Sequence, residues 1–80
     1  MQLNQDEYSK AFGKYLKSLL DEKGMMQKDL AKKAGITEAA LSRYVRGERT
    51  PRIPQAYRMA CVLGIDMNTL IYLGAEGENR

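Results

Sequence analysis

Residues Gln27–Gly47 read QKDLAKKAGITEAALSRYVRG, and this stretch decides the fold. At helical period, Leu30, Ala31 and Ala34 fall on one face of a short helix expected over residues 27–34. Gly35 supplies the left-handed backbone with which helices often end, and Ile36 plugs the turn. Leu41, Tyr44 and Val45 then form the inner face of a second helix, expected over residues 38–46. Thr37 is a good cap for it and Gly47 a good terminator. Ala31 is small enough to let the second helix approach closely. Two short helices meeting at a sharp angle through a Gly-containing turn make a helix-turn-helix.

Upstream, Asn4 is positioned to cap a longer helix. Glu7 completes a capping box, and Leu3 with Tyr8 suits a hydrophobic staple. Tyr8, Phe12, Tyr15, Leu16, Leu19 and Leu20 form one apolar stripe that ends near Lys23 and Gly24. At this spacing the aromatic residues read as core rather than as stacking platforms for bases. Gly13 lies inside the helix at a cost of about 1 kcal/mol relative to Ala, which points to close packing against another helix.

Downstream, the polar, basic loop GERTPRI carries Pro51, and Pro54 suits the first turn of a fourth helix. Ala56, Met59, Ala60, Val62 and Leu63 supply that helix's inner face as far as Gly64. Asp66 then caps a short fifth helix holding Met67, Leu70, Ile71 and Leu73. Residues 1–74 are expected to form one domain, and residues 75–80 a flexible polar tail. With no strand pattern, repeat or linker, the sequence predicts an all-α fold: a compact five-helix domain with the helix-turn-helix at helices 2 and 3.

Eighty residues offer too little core for a long catalytic scaffold. The chain has no His and one Cys, which argues against a structural zinc site. Cys61 sits in the apolar run Met59–Leu63 and is expected to be a buried, inert thiol. No apolar stretch approaches the roughly 20 residues of a membrane span. The opening MQLNQDEYSK lacks a basic-then-apolar signal, so a cytoplasmic protein is expected. Net charge is +3, unevenly spread: residues 1–25 balance to zero, residues 26–58 carry +5, and residues 59–80 carry −2. The positive charge is thus concentrated on the helix-turn-helix and the loop after it. That suits a polyanion, although a solvated basic face looks similar.

The segments LKSLLDEKGMMQKDLAKKAGI, LSRYVRGERTP and AYRMACVLGIDMNTLI together resemble the lambda-repressor-like, or Cro/C1-type (XRE family), helix-turn-helix regulators. The likeness covers roughly residues 8–73. That family similarly follows its recognition helix with a Gly, a basic loop ending in Thr-Pro, and a helix ending in Leu-Gly. The resemblance implies that Gln27 contacts a DNA phosphate and braces the recognition helix. Lys28 and the amide groups at the same helix N-terminus would add phosphate contacts, since helix N-termini attract anions. Two positions depart from the family: Met26 stands where a capping Ser or Thr is common, and Val45 where Glu is common. The first removes a cap worth about 1 kcal/mol. The second leaves packing, not an ion pair, as the role of residue 45.

The third helix has its own outward face. At about 100° per residue, Ala39, Ser42, Arg43 and Arg46 point away from Leu41, Tyr44 and Val45, with Glu38 at the flank. Such a strip suits the major groove. Arg43 is the foremost candidate for base reading, because a guanidinium fork matches the O6/N7 edge of guanine; a phosphate contact or a free surface Arg remains the alternative. Ala39 and the Thr37 methyl suit a thymine methyl, and Ser42 suits a base or a phosphate. Glu38 suits cytosine N4, or simply the helix dipole. Arg46, Arg49 and Arg52 read as backbone clamps.

One small module discriminates poorly among competing sites, so a homodimer on a palindromic operator is expected. The surplus apolar residues for self-association are Met67, Leu70, Ile71, Tyr72 and Leu73 on the fifth helix, some of which must cover the core instead. The function expected is a DNA-binding transcriptional regulator, a repressor of bacterial or phage origin, acting on double-stranded DNA without cofactor, metal, membrane or small-molecule ligand. The alternative is the antitoxin half of a toxin–antitoxin pair, masking a protein partner as well as binding DNA. An enzyme is not expected: no His, no Gly-rich phosphate loop and no nucleophile paired with a base is present.

Overall fold

The computed structural model describes the backbone of residues 4–76 and the side chains of residues 4–72. Five α-helices follow one another: α1 Gln5–Lys23, α2 Gln27–Ala34, α3 Glu38–Val45, α4 Ile53–Leu63 and α5 Met67–Glu76. Each boundary has a local cause. The Glu7 N–H donates to Asn4 Oδ1 at 2.8 Å and the Asn4 N–H to Glu7 Oε1 at 3.3 Å, forming the capping box at the start of α1. Thr37 Oγ1 accepts from the Ala40 N–H at 3.1 Å, and Asp66 accepts from the N–H groups of Asn68 and Thr69 at 3.0 and 3.3 Å. Pro54 lies in the first turn of α4, where its missing N–H costs nothing.

Phe12, Leu16, Leu30, Leu41, Met59, Leu63 and Leu70 are the largest fully buried side chains, and every helix contributes at least one. α1 packs against both α3 and α5, α2 against α3 and α4, and α4 against α5. The Tyr8 hydroxyl ties the start of α1 to α5 by donating to Ile71 O at 3.1 Å, and burial raises its pKa. Leu3, the other half of the expected staple, lies outside the described residues.

Gly13 is buried where α1 meets the end of α3. A Cβ built there would stand 2.6 Å from Val45 O and 2.7 Å from Tyr44 O, closer than real carbon–oxygen contacts allow. Gly47 makes the reciprocal approach, its would-be Cβ lying 2.9 Å from Lys10 Cα, in a left-handed conformation with φ of 77°. The two glycines let the backbones of α1 and of the turn after α3 touch directly. Val45 is half-buried and packs on the core, which fits a packing role at this position.

Several expectations are corrected. Cys61 is exposed, not buried, because Ala56, Met59, Ala60 and Leu63 occupy the inner face of α4 and leave residue 61 pointing outward. Leu70 is 0% exposed: it belongs to this chain's own core and has no surface to offer a second copy. Met67 and Ile71 are half-buried and Tyr72 is exposed, while the side chain of Leu73 lies outside the described residues. α3 ends at Val45, one residue earlier than expected, with Arg46 as its cap. α5 continues past residue 74 to Glu76, since one helical Gly costs only about 1 kcal/mol and Ala and Glu follow it. Residues 77–80 of the expected tail lie outside the described residues.

Gly13→Ala tests the α1–α3 contact, because Ala is intrinsically the better helix former by about 1 kcal/mol. Steric conflict with two backbone carbonyls is expected to reverse that sign and cost about 2 kcal/mol. Urea unfolding should show a lower midpoint at similar slope. A variant as stable as the parent would mean that α3 does not rest on α1 at this point.

Candidate nucleic-acid interface

The turn between α2 and α3 has the expected form. Gly35 adopts φ of 69°, and the Ile36 N–H reaches back to Ala31 O at 2.9 Å while its side chain packs on the core. Ala31, 1% exposed, lies within that core beside Leu30 and Leu41. The absent Ser or Thr cap of α2 is partly replaced: the Met26 N–H donates to the Asp29 carboxylate at 3.3 Å. Arg58 secures the other end of α2 by donating through Nε to Ala34 O at 2.8 Å. A cation at the carbonyl end of a helix also sits favourably on its dipole.

Against this support the candidate contact residues take their places. Gln27 is half-buried, and its Oε1 accepts from the Ser42 hydroxyl at 3.2 Å, joining the start of α2 to the middle of α3. Lys28 and Glu38 are exposed and line one open groove with Gln27 and Met26. Thr37 is exposed, with its hydroxyl engaged in the cap and its methyl left to the surface. Ala39 and Arg43 are exposed on the outer face of α3, and Arg49 and Arg52 are exposed in the following loop. The structure therefore brings Gln27, Lys28, Glu38 and Ser42 together and leaves Ala39 and Arg43 facing solvent beside them.

Arg46 stands apart. Its Nε donates to Glu48 Oε2 at 2.8 Å and its Nη2 to Glu48 Oε1 at 3.3 Å, a two-pronged pair in open solvent. The Arg46 hydrogen bond holds the Glu48 carboxyl below the ordinary carboxylate range, and the charges of Arg46 and Arg43 reinforce it. Arg46 is legible in the sequence but its partner is not, since no helical period relates residues two apart across a turn. In the sequence Arg58 is one more positive charge of the 26–58 stretch. Its role depends on α4 passing the end of α2, which no local pattern records.

Among the described residues no group of His, Cys, Asp and Glu is placed to hold a metal ion, and no helix is long and apolar enough to cross a membrane.

The Gln27–Ser42 bond should be measurable as coupling. Gln27→Ala and Ser42→Ala together are expected to cost less than the sum of the single changes, by about 0.5–1 kcal/mol, as for a partly buried neutral hydrogen bond. Strictly additive losses in thermal or urea unfolding would remove this brace from the account.

Comparison with protein-family models matches residues 16–70 to a family described as helix-turn-helix. No characterised protein matches the chain. The matched span runs from Leu16 in α1 to Leu70 in α5, most of the chain, and takes in the whole α2–turn–α3 unit with its buried supports. The chain belongs to the helix-turn-helix family of Cro/C1 type, whose domains bind DNA.

Proposed function

We propose that this protein is a transcriptional repressor, acting in the cytoplasm, that binds a palindromic operator as a homodimer with α3 in the major groove. The observation that carries this reading is the outer face of α3: Ala39 and Arg43 are exposed, while Ser42 beside them is tied to Gln27 at 3.2 Å. A base-reading side chain must be presented by an element that does not move, and that bond pins α3 to α2. Arg43 reads a guanine edge, the Ala39 and Thr37 methyl groups meet a thymine methyl, and Glu38 and Ser42 reach neighbouring base or backbone atoms. Lys28, Arg46 and Arg49 contact phosphates, with Gln27 at the start of α2 adding another.

Self-association would use the exposed part of α5. With Leu70 in the core, the contact falls to Tyr72, 64% exposed, flanked by Met67 and Ile71. A second reading has one observation in its favour: Ile53 and Tyr57 are 68% and 58% exposed on the outer face of α4. Exposed apolar residues of this size suit a protein partner, as in an antitoxin. Co-purification of a second chain distinguishes that reading.

Selection of bound duplexes from a random pool is expected to return a palindromic motif, giving target and half-site spacing together. Arg43→Ala should then relax preference at one base position at a cost of about 1–3 kcal/mol. Arg49→Ala should weaken all sequences alike. With about six phosphates neutralised by a dimer, log affinity should fall with log salt at a slope near −5. Equal losses for both variants on selected and random DNA would overturn this division of roles.

A further inference from the structure

α1, α2 and α4 end in the same way. After each terminal glycine comes an apolar residue, Met25, Ile36 or Ile65, whose N–H donates to a carbonyl one turn back at 2.9, 2.9 and 3.0 Å. All three side chains then pack on the core. This backbone motif usually brings such an apolar contact with it. α3 makes the same backbone bonds: Gly47 N–H to Tyr44 O at 3.1 Å and Glu48 N–H to Arg43 O at 2.9 Å. Yet it places a carboxylate where its three counterparts place an apolar side chain.

Stability does not account for Glu48. A carboxylate just past a helix C-terminus lies at the unfavourable end of the dipole. Its pair with Arg46 is solvent-exposed, and such pairs contribute little. What Glu48 does is offer two oxygens to the guanidinium fork of Arg46, at 2.8 and 3.3 Å. A phosphate diester offers a guanidinium the same two-oxygen geometry. The backbone that carries Glu48 is positioned by the fold, because Gly47 before it is seated on the α1 backbone at Lys10.

We propose that Glu48 is a built-in stand-in for a DNA phosphate, latching Arg46 so that this arginine reaches the duplex only when a docked phosphate displaces the carboxylate. This rests on the DNA-binding reading above and refines it. Arg49 contacts any duplex. Arg46 contacts only one on which α3 is seated, because a loosely held, mismatched duplex offers no fixed phosphate to replace Glu48. The latch thus withholds one cation from sequence-independent binding and returns it to the operator complex.

The test compares the parent, Glu48→Gln, Arg46→Gln and the double variant on a short random-sequence duplex and on the selected duplex, at low ionic strength. All the altered side chains are exposed, and helical circular dichroism checks folding. Glu48→Gln should tighten random-duplex binding about threefold, and Arg46→Gln should erase that gain. In the parent, Arg46→Gln should weaken random-duplex binding by a smaller factor than it does in the Glu48→Gln background, while weakening the selected duplex about tenfold. A gain from Glu48→Gln that survives loss of Arg46 would show plain charge repulsion and overturn the latch. No gain at all would overturn it too. A parent that ignores every duplex overturns the DNA reading along with the latch, and that failure appears before any variant is compared.

Discussion

The direct backbone contact between α1 and the end of α3 is the constraint on which the presentation of α3 depends. α3 has only eight residues, too few to be stable alone in water. Its position must come from what it rests on. At Gly13 the carbonyls of Tyr44 and Val45 approach so closely that no side chain fits between, and Gly47 returns the contact at Lys10. Without those two glycines the end of α3 would lift, and with it Arg46, Glu48 and the loop carrying Arg49. The helical cost of Gly13 is thus offset by a contact that no other residue permits.

The other end of α3 is held by different means. Thr37 caps its first turn, Leu41 inserts into the core, and Ser42 bonds across to Gln27. α2 is in turn held by Asp29 at its start and Arg58 at its end. The outer strip is therefore supported from both ends and from behind, with Arg43 the long side chain left unconfined near its centre. Fixed backbone and free side-chain tip is the combination that base reading demands: the tip must choose among base edges, and the backbone must not.

Much of this was legible in the sequence because it depends on local chemistry. The capping box of Asn4 and Glu7, the stripe of Phe12, Leu16, Leu19 and Leu20, and the Gly35–Ile36 turn are all written within a few residues of where they act. Gly13 was legible as an anomaly, a glycine that a lone helix would not choose. Cys61 was misread because neighbouring apolar residues were weighed as a run; the spacing of Ala56, Met59, Ala60 and Leu63 puts it on the outside. Leu70 was misread for a related reason. Asn68 and Thr69 mark the polar side of α5 and leave Leu70 with Met67 and Ile71 on the opposite, apolar arc, but the pattern does not say whether that arc is covered by the chain's own core or by a second copy. The Arg58–Ala34 and Gln27–Ser42 contacts join separate helices and become visible only once those helices are packed.

Charge shows most clearly what sequence and structure each contribute. The excess of +5 over residues 26–58 sets the field felt by an approaching polyanion, and at distances near the Debye length, about 8–10 Å, that field is insensitive to how charges pair locally. Attraction can therefore be read from composition. Contact cannot. Of the eight cations in that span, Arg58 is engaged by a helix carbonyl and Arg46 by a carboxylate, so these two already donate to a protein partner. Pairing Arg46 with Glu48 leaves the long-range pull unchanged while altering which side chains are ready at the surface. Affinity can be tempered at the surface of the domain itself. Separating pull from grip, through one acidic residue on a rigid turn, lets it attract DNA broadly while holding back one contact for the site that fits.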